Sequence, residues 1–190
     1  MRNQFKDTLL KLAEDEPRFA LLFGDISVFL FREFQAKYPN RFYNLGICEA
    51  TLISVAAGLS SQGFIPIVHS IAPFVTERAM EQIKLDLVYN ELPAKIVSCG
   101  ATFDYAWDGT THHAWTDTGW MRMLPNLSHL PTSKKNFKET LRTSDFNLAY
   151  ERANKRLKEL QILENPKPYR LLVGAEAYWK GVENFQTLSD

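Results

Sequence analysis

The chain has 190 residues, which at ~150 residues per domain is one domain with room for a small extra element. Hydrophobic residues make up 45% and aromatics 13%, enough to build a core and to argue against wholesale disorder. Lys plus Arg is 22 and Asp plus Glu is 22, so the net charge is zero and the basic field of a nucleic-acid or anionic-membrane binder is missing. No apolar run approaches the ~18 residues of a transmembrane helix. Cys48 and Cys99 are too few for a disulfide framework or a zinc site. These properties predict a soluble, cytoplasmic, single-domain protein.

Met1 to Asp15 mixes charges with Phe5, Leu9, Leu10 and Leu12, the pattern of an amphipathic helix rather than a signal peptide. Phe19 to Phe23 reads as a buried strand with Gly24-Asp25 at its exit. Val28 to Lys37 has helical spacing and is stopped by Pro39-Asn40. Arg41 to Leu45 is a short strand, and Glu49 to Gln62 a helix closed by Gly63. Phe64 to Val68 is a strand that tolerates Pro66 only where no ladder donor is needed. Phe74 to Tyr89 reads as one long helix. Ala94 to Ser98 is a strand, 99–116 a polar, aromatic loop, and Asp117 to Leu124 a short helix. Lys135 to Leu160 is mostly helical and Tyr169 to Val173 a last strand. The alternation predicts an α/β domain, a mainly parallel sheet with helices on both faces. Residues 1–175 are assigned to this domain and 176–190 to a tail.

Ligands of such sheets sit beyond the carboxyl ends of the strands, where Asp25, Asn44 to Glu49 and the loop 99–116 fall. The helix opening at Glu49 is apolar nearly all round, as a buried helix is. Glu49 is thus a carboxylate at a buried helix N-terminus. Its ordinary reading is interaction with unpaired backbone N–H groups, and a functional reading needs corroboration. In Asp108-Gly109-Thr110-Thr111-His112-His113, two of the four histidines are adjacent. They are poor metal ligands, because neighbouring side chains seldom converge on one ion, but a loop histidine suits proton donation. Asp117 reads as the acid that opens its helix.

Together these segments resemble the pyrimidine-binding domain of transketolase-type thiamine-diphosphate enzymes. Arg41-Phe42-Tyr43-Asn44-Leu45-Gly46-Ile47-Cys48-Glu49 looks like the family's "RF-x-N-x-GI-x-E". Ala56-Ala57-Gly58-Leu59, Gly63-Phe64-Ile65-Pro66, and Phe74 ahead of Arg78-Ala79-Met80-Glu81-Gln82 follow in family order. Asp108 to His112 looks like "DG-x-TH". The resemblance implies a three-layer thiamine-diphosphate-binding fold. It implies that Glu49 hydrogen-bonds N1′ of the cofactor's aminopyrimidine and favours its imino tautomer, and that His112 contacts substrate. It places Phe74 on the pyrimidine, although the spacing from Phe74 to Glu81-Gln82 is one residue longer than in common members. Asp25 is placed near the cofactor or a subunit boundary, and His69 and His113 at the cleft wall.

In this family Mg²⁺ and diphosphate are held by a separate domain with a "GDG…N" motif, which this sequence lacks; it is also expected to lack the third domain of full-length transketolases. The resemblance therefore implies half an active site: a thiamine-diphosphate enzyme completed by a diphosphate-binding partner chain, as an α₂β₂ assembly, with no metal ligands in this chain. The expected reaction is transfer of a two-carbon ketol unit between sugar-type substrates. Two alternatives stand beside it: a subunit of a 2-oxo acid decarboxylase or dehydrogenase, and a non-catalytic interaction subunit.

Overall fold

Phe19–Phe23 (β1) is five consecutive buried apolar residues, the signature of a strand covered on both faces. The computed structural model describes residues 2–125, 127–131 and 171–174. Phe42–Asn44 (β2), Ile65–Ile71 (β3), Lys95–Cys99 (β4), Ser128–Pro131 (β5) and Leu171–Gly174 (β6) join β1 in one sheet of order β2-β1-β3-β4-β6-β5. Every ladder is parallel. β5 was not expected from the sequence, and the helical segment expected over 135–160 lies outside the described residues.

Alternate residues of the strands feed two separate cores. Ala20, Leu22, Val68 and Ile96 pack with Leu52, Ile53, Ala56 and Ala57 of Glu49–Ser61 (α3). Leu21, Phe23, Ile67 and Val97 pack with Phe5, Leu9 and Leu12 of Arg2–Asp15 (α1) and with Phe34 of Arg32–Lys37 (α2). The three layers are thus helix, sheet, helix, as the sequence predicts. Each fully buried Leu or Phe contributes about 1.5–3 kcal/mol of transfer free energy. Pro66 is tolerated for the reason anticipated. Ile65 N donates toward β1, to Arg18 O, so the next nitrogen faces β4, whose ladder begins only at Ile67 opposite Lys95.

The single helix expected over Phe74 to Tyr89 is instead three pieces. Ala72–Thr76 (α4) ends in a turn at residues 77–79, Met80–Gln82 (α5) follows, and Ile83–Tyr89 is π-helical. Arg78 N bonds Pro73 O, five residues back, at 3.2 Å. A bond of that span accommodates one residue more than an α-turn. This wide turn is the local counterpart of the extra residue in the sequence spacing.

Candidate active site

The carboxyl ends of β1, β2 and β3 converge on α3's N-terminus. α3 starts there because Gly46, at φ +78°, reverses the chain after β2, and Cys48 O accepts the first helical bond from Leu52 N. Asn44 clamps this corner. Its Oδ1 accepts from Asp25 N at 3.0 Å and Gly46 N at 3.3 Å, and its Nδ2 donates to Asp25 Oδ1 at 2.7 Å. Asp25 and Ser27 are both left-handed, at φ 65° and 64°, a conformation that costs non-glycine residues energy unless neighbours enforce it.

Glu49 is 1% exposed and fully partnered on its carboxylate. Ser70 Oγ, from β3, donates to Oε1 at 3.1 Å, and Arg78 Nη1 donates to Oε2 at 2.8 Å. Gly24 faces the same group; a Cβ there would stand 3.6 Å from Glu49 Oε1 and 3.2 Å from Gly46 O. The missing side chain leaves room against the carboxylate. The Arg78 guanidinium lies over the Phe74 ring, 4.3 Å from its centroid. His112 meets Phe74 edge-on at 5.0 Å.

His112 belongs to a short 3-10 turn, Thr110–His112, in the loop after β4. Its Nδ1 lies 3.0 Å from Thr111 Oγ1, and Tyr105 stands 5.9 Å away ring to ring. Burial pushes the Tyr105 hydroxyl up to about 12, keeping it a neutral phenol at ordinary pH. Tyr105 accepts a hydrogen bond from Arg2 and touches Cys99 Sγ at 3.8 Å. Gly100, at φ +72°, makes room for this ring: a Cβ there would lie 1.9 Å from Tyr105 Cε2. Gly100→Ala is expected to cost about 2–4 kcal/mol, from the strained φ and the collision together. A urea melt checks it, and a loss under about 0.5 kcal/mol would mean the Tyr105 ring is not held against Gly100.

The sequence-derived candidates therefore separate. Glu49, Phe74 and His112 come together. Asp25 is exposed and engaged by Asn44. His113 turns from that group to Phe103, at 4.9 Å, and Trp115, at 5.9 Å, with its buried Nε2 lacking a hydrogen-bond partner among the described residues. His69 lies on the opposite face of β3 from Ser70. It is 2% exposed, against Phe5 and Phe23. Its Nδ1 is 2.6 Å from Val97 O, its Nε2 is 3.1 Å from Ser27 Oγ, and burial pushes its pKa down to about 4. The roles of Ser70 and Arg78 were not read from the sequence. Arg78's position four residues after Phe74, the spacing of neighbours on a helix face, was the available signal.

Asp117, opening Asp117–Met123 (α6), is 3% exposed. Burial, with a smaller contribution from Glu77, raises its pKa to about 6, although Thr118 N donates to its Oδ1 at 2.6 Å. Folding therefore favours the protonated form, and this group's contribution worsens as pH rises from about 4 to 6. Asp117→Asn is expected to gain about 2 kcal/mol over the parent at pH 7 and little at pH 4, read from melts at both pH values. An equal effect at both would mean the carboxyl does not titrate on unfolding in this range.

The transketolase pyrimidine-binding domain profile matches residues 1–145. The chain belongs to this family. The 6-deoxy-6-sulfo-D-fructose transketolase subunit SqwH of a Clostridium species is 31% identical over 129 residues, 67% of this chain and 40% of its own. A 1-deoxy-D-xylulose-5-phosphate synthase of Lawsonia intracellularis is 35% identical over 127 residues, 66% of this chain and 20% of its own. Among solved structures, a split-gene transketolase described as an inactive β4 tetramer superposes with a TM-score of 0.66 at 28% identity, covering 91% of this chain and 50% of that one. The chain spans less than half the length of these curated relatives. Transketolase-type enzymes use thiamine diphosphate, and of these three relatives one is named a transketolase subunit and one a split-gene transketolase. No described helix is long and apolar enough to cross a membrane. Among the described residues no three His, Cys, Asp or Glu side chains gather as a metal site.

Proposed function

We propose that this chain is the pyrimidine-binding subunit of a two-chain, thiamine-diphosphate-dependent transketolase-like enzyme. The observation that carries the proposal is Glu49: a buried carboxylate, at the carboxyl ends of parallel strands, beside Gly24 and linked through Arg78 to the flat ring of Phe74. That arrangement fits an aminopyrimidine, with the Glu49 carboxyl donating its proton to the ring's N1′ and so favouring the imino tautomer, and Phe74 supporting its face. When bound, the cofactor supplies a nucleophilic carbon that cleaves and re-forms the bond beside a carbonyl. Glu49 holds and returns the proton that this activation requires, shielded from water. His112 stands at the rim, placed to hydrogen-bond a substrate oxygen. The diphosphate and Mg²⁺ are assigned to the partner chain, in an α₂β₂ assembly in the cytoplasm, and the reaction to transfer of a two-carbon ketol unit between sugar-type substrates.

Two split relatives favour the separate partner. The synthase relative shows that the same half-site also serves an enzyme named for synthesis of a sugar phosphate, and the other reading kept is a 2-oxo acid as donor with loss of carbon dioxide. Affinity purification of the chain from its native cells, followed by mass spectrometry, tests the assembly. A stoichiometric partner bearing "GDG…N" is expected. Donor screens on that complex then separate the chemistries: turnover of ketoses supports ketol transfer, and carbon dioxide release from a 2-oxo acid overturns it.

A further inference from the structure

Arg78 makes two contacts that a bound heterocycle would also need. Its Nη1 donates to Glu49 Oε2 at 2.8 Å, and its guanidinium carbon stands 4.3 Å from the Phe74 centroid. A guanidinium is flat, stacks on aromatic faces and hydrogen-bonds a carboxylate through its N–H edge; an aminopyrimidine is likewise flat, stacks, and hydrogen-bonds a carboxyl group through its ring nitrogen. Arg78 is also held loosely. Its side chain is 48% exposed while Glu49 is 1% exposed, and it springs from the wide turn between α4 and α5 rather than from a regular helix. Leaving Glu49 buried with no partner would be costly, so the half-exposed Arg78 leaves for water when another partner takes its place at the carboxylate.

We propose that Arg78 is an internal stand-in for the cofactor's aminopyrimidine: in the free chain its guanidinium occupies the place between Glu49 and Phe74, and the heterocycle enters by displacing it. This rests on the pyrimidine-binding reading of Glu49. The stand-in keeps the buried carboxylate paired until cofactor and partner arrive. It also makes Arg78 a positioning residue, which sets how much of the chain presents an open Glu49.

The test uses the full-length chain, with thiamine as the probe and calorimetry as the readout. Removing an internal competitor raises apparent affinity by the fraction of open sites recovered. Arg78→Ala is expected to bind thiamine about tenfold more tightly than the parent. Glu49→Gln is expected to bind it more weakly, and a merely structural role would not move the two variants in opposite directions. Ethylguanidinium added to Arg78→Ala is expected to raise its Tm and to compete with thiamine. Unchanged or weakened binding by Arg78→Ala, or no binding at millimolar thiamine, overturns the proposal. If Arg78→Ala does not fold, the parent chain labelled with 15N-arginine decides. Thiamine saturation should move the Arg78 guanidinium signals toward those of a free side chain, and bound thiamine with those signals unmoved overturns the stand-in. If Glu49→Gln binds thiamine as well as the parent, the pyrimidine-binding reading itself falls. If Glu49→Gln weakens binding while Arg78→Ala gains none, only the stand-in falls.

Discussion

Glu49→Gln is expected to abolish turnover by the reconstituted enzyme while leaving the fold in place. Glutamine keeps the shape of the side chain and still accepts from Ser70 Oγ, so the α3 N-terminus stays filled. It cannot take or return a proton. Losses on removing a positioned acid–base group run to about 10²–10⁴-fold, or about 3–5 kcal/mol of transition-state stabilisation. The ion pair with the half-exposed Arg78 is lost as well, so Tm is expected to fall by a few degrees without loss of cooperativity. Steady-state kinetics on the complex and a thermal melt of the chain make the measurement. Full activity in the variant would remove Glu49 from its assigned role, and an unfolded chain would make it a structural residue first.

The second large effect concerns His69 and acid stability. Its pKa is about 4 in the fold against about 6.5 in a free chain, with burial as the main cause. Between these values the unfolded chain binds a proton that the folded chain refuses. Stability contributed by this group is therefore intact above about pH 6.5 and falls as pH drops toward 4, by about 1.4 kcal/mol per pH unit and about 3 kcal/mol in all. Asp117 acts oppositely below pH 6 and offsets part of that loss in the parent. Replacing His69 with Phe should therefore change the slope of stability against pH between 6.5 and 4, whatever it does to stability at pH 7. Denaturant melts across that range are the measurement, and parallel curves would mean His69 does not stay neutral in the fold.

The sheet and its order of helices were legible because both signals are local. FALLF is a buried run, and the stripes of α1 and α3 have helical period. Glu49 was legible through its sequence neighbours, since the residues from Arg41 to Glu49 build the corner that presents it. Arg78 and Ser70 were not, because their roles depend on where a wide turn and a strand face point. A one-residue expansion of a helix leaves no periodicity to read. His69 shows the same limit. Composition marks a histidine, but only the pleat decides that it faces Phe5 and Phe23 while Ser70 faces Glu49.

That pleat has a practical consequence for engineering. Adjacent residues of β3 divide their work, Ser70 serving the chemistry on one side of the sheet and His69 the folding balance on the other. The two sides draw on separate clusters, α3's and α1's. Distant, unconnected sites combine additively and neighbours do not. A library selected for acid tolerance can therefore range over α1-side core positions such as Leu9 and Leu12, and must recheck the surroundings of Glu49 at His69, one peptide bond from Ser70, and at Arg2, which reaches Tyr105.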